Sequence, residues 1–388
     1  MDPIEGAYTK LLNYLEKENY KGYDLYDTLN SRLPFHWLGK MGPLLAIQFQ
    51  KRNPVNIRPL IGIKKEINPK AFGLFLQAFS IGYRKTSDEK YLVKARYFFN
   101  WLKDNSSRGY TGKGWGYNFP WLSSIKYLPA YTPTAVVTGF VCRGIYKYYE
   151  VTKDAQAASL LVEAAEFVLD SLPVFSDQTG ICISYSPVVK DACYNASLLG
   201  AEILARAYSI NGNEDLRKMA VKACDFVISR QKEDGRWNYS MDLETGEERS
   251  QIDFHQGYVL ESLYEIKNLC GLDLRQIDQA MRKGLEFYFA EQFFKDGRSR
   301  WRWPRNWPVD IHNQAQGIIT FSRLKEYGED YSSFAKTIAN WTIGKMQNRN
   351  GYFYYQVHPN YKIRIPYIRW SQAWMLLALL TLDINPET

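Results

Sequence analysis

Two short motifs in this chain carry the side chains best suited to moving protons. Asp253-Phe-His255-Gln256 and Asp310-Ile-His312-Asn313-Gln314 match in type and spacing, and they hold two of only four histidines. A carboxylate two residues before an imidazole offers an acid or a base near neutral pH. Two carboxyl groups flanking one bond suit glycoside hydrolysis, one as acid and the other as base or nucleophile. Asp is equally a favoured helix N-cap, which needs no chemistry. Asp191 precedes Tyr194 and Asn195 in a comparable setting, and Tyr serves as acid or base where a proton beside a carboxylate is removed. Arg369, next to Trp370 and Gln372, has the planar fork that holds a carboxylate through two parallel hydrogen bonds, or else pairs with a nearby Asp.

The candidate catalytic residues are therefore Asp253, Asp310, His255, His312 and Tyr194. The candidate substrate contacts are Arg369, Trp370, Gln372, Asn313, Gln256 and Asp191. Trp115, Tyr117, Trp237, Trp301 and Trp303 add flat faces that suit either sugar stacking or loop packing. A GxSxG elbow, a Walker loop, HExxH and a Gly-rich dinucleotide fingerprint are all missing. The five cysteines form no CxxC pair and sit among apolar neighbours, so they read as core residues of a reducing compartment. Neither a metal nor a cofactor is expected.

Residues so far apart need a device that gathers them. Helical stretches open at Asn68-Pro69-Lys70, Tyr131–Thr134, Lys190–Ala192, Gln251–His255, Val309–His312 and Pro366–Trp370, a period of roughly 60 residues. The spacing predicts apolar helices over 69–84, 132–151, 190–210, 252–269, 310–327 and 367–383. Charged, one-striped helices follow over 88–104, 154–172, 214–231, 273–295 and 330–347. The first set is apolar nearly all round and rich in Gly, Ala and Ser, as buried helices are; the second should face water. Gly-aromatic loops such as Gly114-Trp-Gly-Tyr117, Gly235–Tyr239 and Gly351–Tyr355 precede the inner helices and read as turns into short strands. The expected fold is all-α: six helical hairpins closed into an (α/α)6 toroid, with short aromatic β-hairpin loops on one rim. Residues 61–388 form the barrel, and 1–60 supply N-terminal helices (6–20 and 34–52) that pack on it and close the ring as one domain.

The chain has 388 residues, 46% apolar and 15% aromatic, ample for a large core. Its net charge of +8 suits an anionic glycan, nucleic acid or membrane surface. No nucleic-acid module is present. The longest apolar stretch, Met375–Leu382, is too short to span a bilayer, and Met1–Gly6 lacks the pattern of a signal peptide, so a cytoplasmic location is expected. Leu33–Phe49, with Trp37 and flanking Lys40, Lys51 and Arg52, reads as a buried helix or, alternatively, as one lying on a membrane surface.

Over residues 60–385 the pattern resembles the six-hairpin, (α/α)6-barrel superfamily of carbohydrate-active enzymes. That group holds glycoside hydrolases, unsaturated-glucuronyl hydrolases, polysaccharide-lyase domains and glucuronyl C5-epimerases. The run Lys51–Gly62 is similar to a family encoded among bacterial cell-surface polysaccharide genes. Gln231-Lys-Glu-Asp-Gly-Arg-Trp237 resembles the QxxxGxW repeat of terpene cyclases and prenyltransferases, but their DxDD motif and zinc ligands are missing. The resemblance implies a carbohydrate-active enzyme on a uronic-acid-type glycan or an intermediate of polysaccharide assembly, with hydrolase-like acid–base chemistry. Alternatives are a uronyl C5-epimerase or lyase on the same scaffold, a non-catalytic glycan- or partner-binding toroid, and a terpenoid cyclase, which needs a dry apolar cavity.

Overall fold

In the computed structural model, which describes residues 2–39, 41–122, 126–271 and 275–382, thirteen α-helices run in sequence. They are α1 (Pro3–Lys17), α2 (Met41–Arg52), α3 (Pro69–Thr86), α4 (Glu89–Asp104), α5 (Ala135–Thr152), α6 (Ala155–Ser171), α7 (Tyr194–Asn211), α8 (Glu214–Ile228), α9 (His255–Leu269), α10 (Arg275–Gln292), α11 (Ile311–Arg323), α12 (Tyr331–Met346) and α13 (Trp374–Thr381). The inner ring is closed: α3 packs on α5, α5 on α7, α7 on α9, α9 on α11, α11 on α13, and α13 back on α3. Helices α4, α6, α8, α10 and α12 lie outside, and α1 takes the sixth outer place against α12 and α13.

Local chemistry starts and stops these helices. Asn68 and Thr134 accept the Ala71 and Val137 backbone N–H groups, as N-caps do, and Pro69 opens α3 where its missing N–H costs nothing. The inner helices are buried on nearly every side; in α7 every residue from Tyr194 to Ala207 is enclosed. The outer helices bury a single stripe, such as Leu216, Ala220, Ala223 and Val227 of α8.

Each of five rim loops is tied down by a side chain near the start of the following inner helix. Thr138 binds Trp115 through both N–H and C=O, Ser197 accepts the Ile183 N–H, and Gln314 accepts the Ser299 N–H while donating to the Gly297 carbonyl. Gln256 and Gln372 each hold both backbone groups of one aromatic, Trp237 and Phe353, at 2.7–2.9 Å. These five clamps recur every 58 or 59 residues. The strands expected in the Gly-led loops form in part: Gly180–Ile183 is a strand, whereas the segments at Gly114, Gly235 and Gly351 lie outside the named strands, where side chains occupy groups a ladder would use. Gly180–Ile183 pairs with Val174–Asp177, and other short strands form nearer the inner helices, as in Val309–Asp310 with Gln356–Val357.

Glycine seals the loops against the outer wall. A Cβ on Gly235 (φ 94°) would meet the Lys283 carbonyl oxygen of α10 at 2.2 Å, and one on Gly351 (φ 98°) would meet that of Lys10 in α1 at 2.0 Å. The N-terminal helix is thus gripped by the last loop as α10 is by an earlier one.

The expected helix over 34–52 is broken. A short 3-10 turn, Phe35–Leu38, and Gly39 at φ 70° precede α2. Helix α13 likewise begins later than expected, after a turn of π-helix at Ile368–Ala373.

The ring closure makes a prediction. Gly351→Ala should lower the unfolding free energy by about 2–4 kcal/mol, because strain and overpacking add. Gly246→Ala, at φ 73° with open space around it, should cost only about 1 kcal/mol. Urea unfolding of the two variants decides; equal losses would mean that contact with α1 contributes nothing.

Candidate active site

The N-terminal ends of α9 and α11 meet the turn before α13 at one rim, and the two Asp-x-His motifs face each other there. Asp253 is buried, and its Oδ1 lies 2.5 Å from His255 Nδ1 and accepts the His255 backbone N–H. Its Oδ2 accepts from Gln251 at 3.0 Å and faces Arg302 Nε at 3.6 Å. Burial alone would raise this carboxyl, but His255 and Arg302 reverse that and hold it below the usual range. The His255 ring is packed by Tyr239 and Phe254, yet its side chain remains 14% exposed.

Asp310 caps α11 through the His312 N–H at 2.9 Å. The same Oδ1 accepts from Trp370 Nε1 at 2.9 Å, and Oδ2 accepts from Gln356 at 2.8 Å, its partner across the strand pair. Burial, helped by the charge of Asp253, pushes this carboxyl up to about 6 against those hydrogen bonds. His312 is enclosed: its ring stacks on Phe254 at 4.0 Å and contacts Trp370 and Trp374. Its Nε2 shares a 2.6 Å hydrogen bond with the Tyr258 hydroxyl, while Nδ1 is buried without a partner among the described residues. Burial and then Lys70 drive its pKa well down, so the ring is neutral.

Lys70 in the first turn of α3 is 2% exposed, with its ammonium 4.0 Å from the centre of the Phe140 ring and 5.4 Å from those of Tyr258 and Trp374. No carboxylate pairs with it among the described residues. Burial, then Arg369 and Arg143, lower its pKa well below the lysine range. Farther along the inner helices, Arg143, Arg206 and Arg323 interlock with Glu202, Glu261 and Glu265. The axis is therefore filled by balanced charge.

Several residues picked from sequence have other work. Arg369 donates from Nε and Nη2 to buried Asp24 at 2.7 and 2.6 Å, so it is paired within the protein rather than open to a substrate carboxylate. Gln256 and Gln372 are loop clamps with both ends of the amide spent. Asn313 accepts the Phe254 N–H and donates to the Arg300 and Trp301 carbonyls. Trp115 and Trp237 are fully buried, and each indole N–H caps an outer-helix carbonyl, Leu102 and Val227. Trp303 leaves the mouth for α10, bonding Glu291 and packing on Phe287. Tyr194 points toward Phe226 of the outer helix and donates to Glu248 at 2.6 Å, which places its hydroxyl outside the His–Asp cluster. Asp191 accepts the Tyr185 N–H and pairs with Lys126 at 2.5 Å. Half-buried Trp301 stays at the rim beside Arg302. Trp370 and Tyr117 do line the cluster, Tyr117 lying 4.7 Å under the Arg369 guanidinium.

Sequence reasoning overlooked Lys70, Tyr258, Gln356, Arg302 and Asp24. One signal for Lys70 was available: a lysine in the first turn of an apolar helix opposes the helix dipole and has no local reason to be there. A surface cleft of about 630 Å³, bordered by Arg298, Trp307, Lys345, Tyr361 and Arg364, lies between two rim loops and α12 and includes none of Asp253, His255, Asp310 and His312.

No protein-family model and no curated protein matches the sequence. Solved structures do match the fold. A cellobiose 2-epimerase from Bacillus thermoamylovorans superposes with a TM-score of 0.63 at 17% identity, covering 81% of this chain and 87% of that one. An unsaturated glucuronyl hydrolase specific for heparin gives 0.64 at 13% identity, over 98% and 97% of the two chains. A D-mannose isomerase gives 0.59 at 12% identity, over 81% and 87%. The chain has the (α/α)6-barrel fold that these carbohydrate-active enzymes share.

Proposed function

We propose that this protein is a carbohydrate-active enzyme in which His255 transfers a proton to or from a sugar and Asp253 orients the imidazole. The observation that carries this reading is the Nδ1–Oδ1 contact of 2.5 Å with His255 still partly accessible. Both aspartates, in contrast, have their oxygens committed to helix caps and side-chain donors. A carboxylate-held imidazole fits removal of a carbon-bound proton next to a carbonyl or carboxylate, as in epimerisation or elimination. Arg302, partly exposed beside Asp253, is the cation placed to favour a uronic-acid-type substrate, in keeping with the glycan intermediates of polysaccharide assembly that the resemblance implies. The similar folds of a sugar epimerase, a sugar isomerase and a glucuronyl hydrolase support a sugar substrate. The charged axis is the opposite of the dry cavity a terpenoid cyclase needs.

Hydrolysis remains the second reading because of one observation. Asp310 is pushed up to about 6 while Asp253 is pulled down, and carboxyls split in this way can serve as acid and base.

Incubation with uronate-containing oligosaccharides in heavy water, read by mass spectrometry, separates the reactions. Deuterium incorporation without other change marks epimerisation, a new unsaturated end marks elimination, and added water marks hydrolysis. His255→Gln should cut turnover by about two to four orders of magnitude while the melting temperature stays within a few degrees. Added water together with an active His255→Gln variant would overturn the proton-transfer reading.

The Asp310 shift is testable through stability. A folded-state pKa near 6 against an ordinary 3.8 means that the folded chain keeps a proton the unfolded chain releases. This contribution is fully present below pH 3.8 and is lost as pH rises through about 6. The stability of the native protein relative to Asp310→Asn, which still caps, should fall by about 3 kcal/mol across that window. Urea unfolding at several pH values measures it, and a flat difference would remove the support for hydrolysis.

A further inference from the structure

Residues 28–65 contain seven basic side chains and no Asp or Glu, in a chain whose net charge is +8. The same segment holds seven of the fifteen large apolar residues that stand exposed among the described residues. Leu33, Trp37, Met41, Leu45 and Phe49 recur at every fourth position and are 48–80% exposed. Three of them lie on α2, where a spacing of four keeps them on one face. The residues of α2 that are buried are Gly42, Ile47 and Gln50, so the apolar stripe points away from the body. Val55 and Leu60, 63% and 85% exposed, follow in the next loop. Lys51 and Arg52 at the helix end bond the Tyr26 hydroxyl and Gln48 oxygens, and no carboxylate pairs with them among the described residues.

We infer that residues 33–60 dock the protein onto the surface of a membrane rich in anionic lipid. An apolar stripe bordered by cations, with a tryptophan along it, is the arrangement that seats a helix at the boundary of headgroups and acyl chains. Among the described residues no helix is long and apolar enough to cross a bilayer. Charge decides against a second copy as the occupant. A two-fold interface would press two such segments together with no carboxylate in either to offset the repulsion. The segment is also fixed to the rim: Arg58 bonds Asp27 at 2.7 Å, Asp24 bonds Arg369, and Tyr26 packs on Trp370. Docking therefore sets the mouth of the barrel beside the lipid headgroups.

Flotation of the full chain with vesicles tests this. Phosphatidylcholine vesicles doped with phosphatidylglycerol should carry the protein, plain phosphatidylcholine vesicles far less, and added salt should release it. Leu45→Gln with Phe49→Gln, both exposed, should weaken partitioning by at least about tenfold with an unchanged circular-dichroism melt. Arg52→Gln with Lys64→Gln should weaken only the phosphatidylglycerol-dependent part. Absence of flotation, or equal flotation of the apolar double variant, would overturn the inference. So would a dimer in sedimentation that this variant dissociates, because the stripe would then belong to a second copy.

Discussion

A backbone buried at the mouth of a barrel must find hydrogen-bond partners, and here the inner helices provide them from their side chains. Without Gln256, both polar groups of Trp237 would be enclosed and unpaired, a loss of about 1–3 kcal/mol for each. The same holds for Gln372 and Phe353. These clamps fix the loops, and the loops fix the site. Trp237 is followed by Tyr239, whose ring edge packs His255 at 4.8 Å. Phe353 is followed by Gln356, which bonds Asp310. The geometry around both Asp-x-His motifs therefore rests on amides whose polar ends are spent on loop backbone.

The axis of the ring shows a second constraint. Six inner helices cannot fill their shared centre with small apolar side chains alone, and three Arg and three Glu occupy it instead. Burial would raise Glu202, yet Arg143 and Arg206 overcome this and hold it at about 2. A buried network of this kind adds little net stability compared with an apolar core, but loss of one member leaves a costly unpaired charge. It ties α5, α7, α9 and α11 to one another through ion pairs. Lys70 sits near this network with like charges around it and aromatic faces as its neighbours, so its amine is poised to gain an anionic partner.

The ring was legible in the sequence because period and apolar pattern are properties of neighbouring residues. The Asp-x-His motifs were legible for the same reason: Asp253 and His255 are joined by two peptide units, and a cap geometry brings them together. Side chains that recognise distant parts of the chain were not legible. Arg369 looked free because its partner Asp24 lies 345 residues away. Gln256 and Gln372 looked like sugar ligands because an amide bonds a loop carbonyl and a hydroxyl equally well. Trp115 and Trp237 were placed at the mouth with the other loop aromatics, but both turn inward because an indole N–H finds a free carbonyl at the end of the preceding outer helix. Tyr194 was misplaced by a turn of direction: the first residue of an inner helix can face the outer layer as readily as the axis.

The N-terminal segment connects these layers. Helix α1 completes the outer ring, and the chain then crosses the rim, where Tyr23 pairs with Tyr367 and Asp24 neutralises Arg369. Arg369 is 2% exposed, and removal of Asp24 would leave it charged in a dry environment at a cost of about 3–5 kcal/mol. Trp370, the next residue, holds Asp310 and packs on Tyr26. The first and last parts of the chain thus build one wall of the site between them. The segment that follows Asp24 meets the barrel at this wall, through Tyr26 on Trp370 and Arg58 over Tyr367, and also at Asn118 through Asn30, so a surface bound by residues 33–60 would lie close to the wall that holds Asp310.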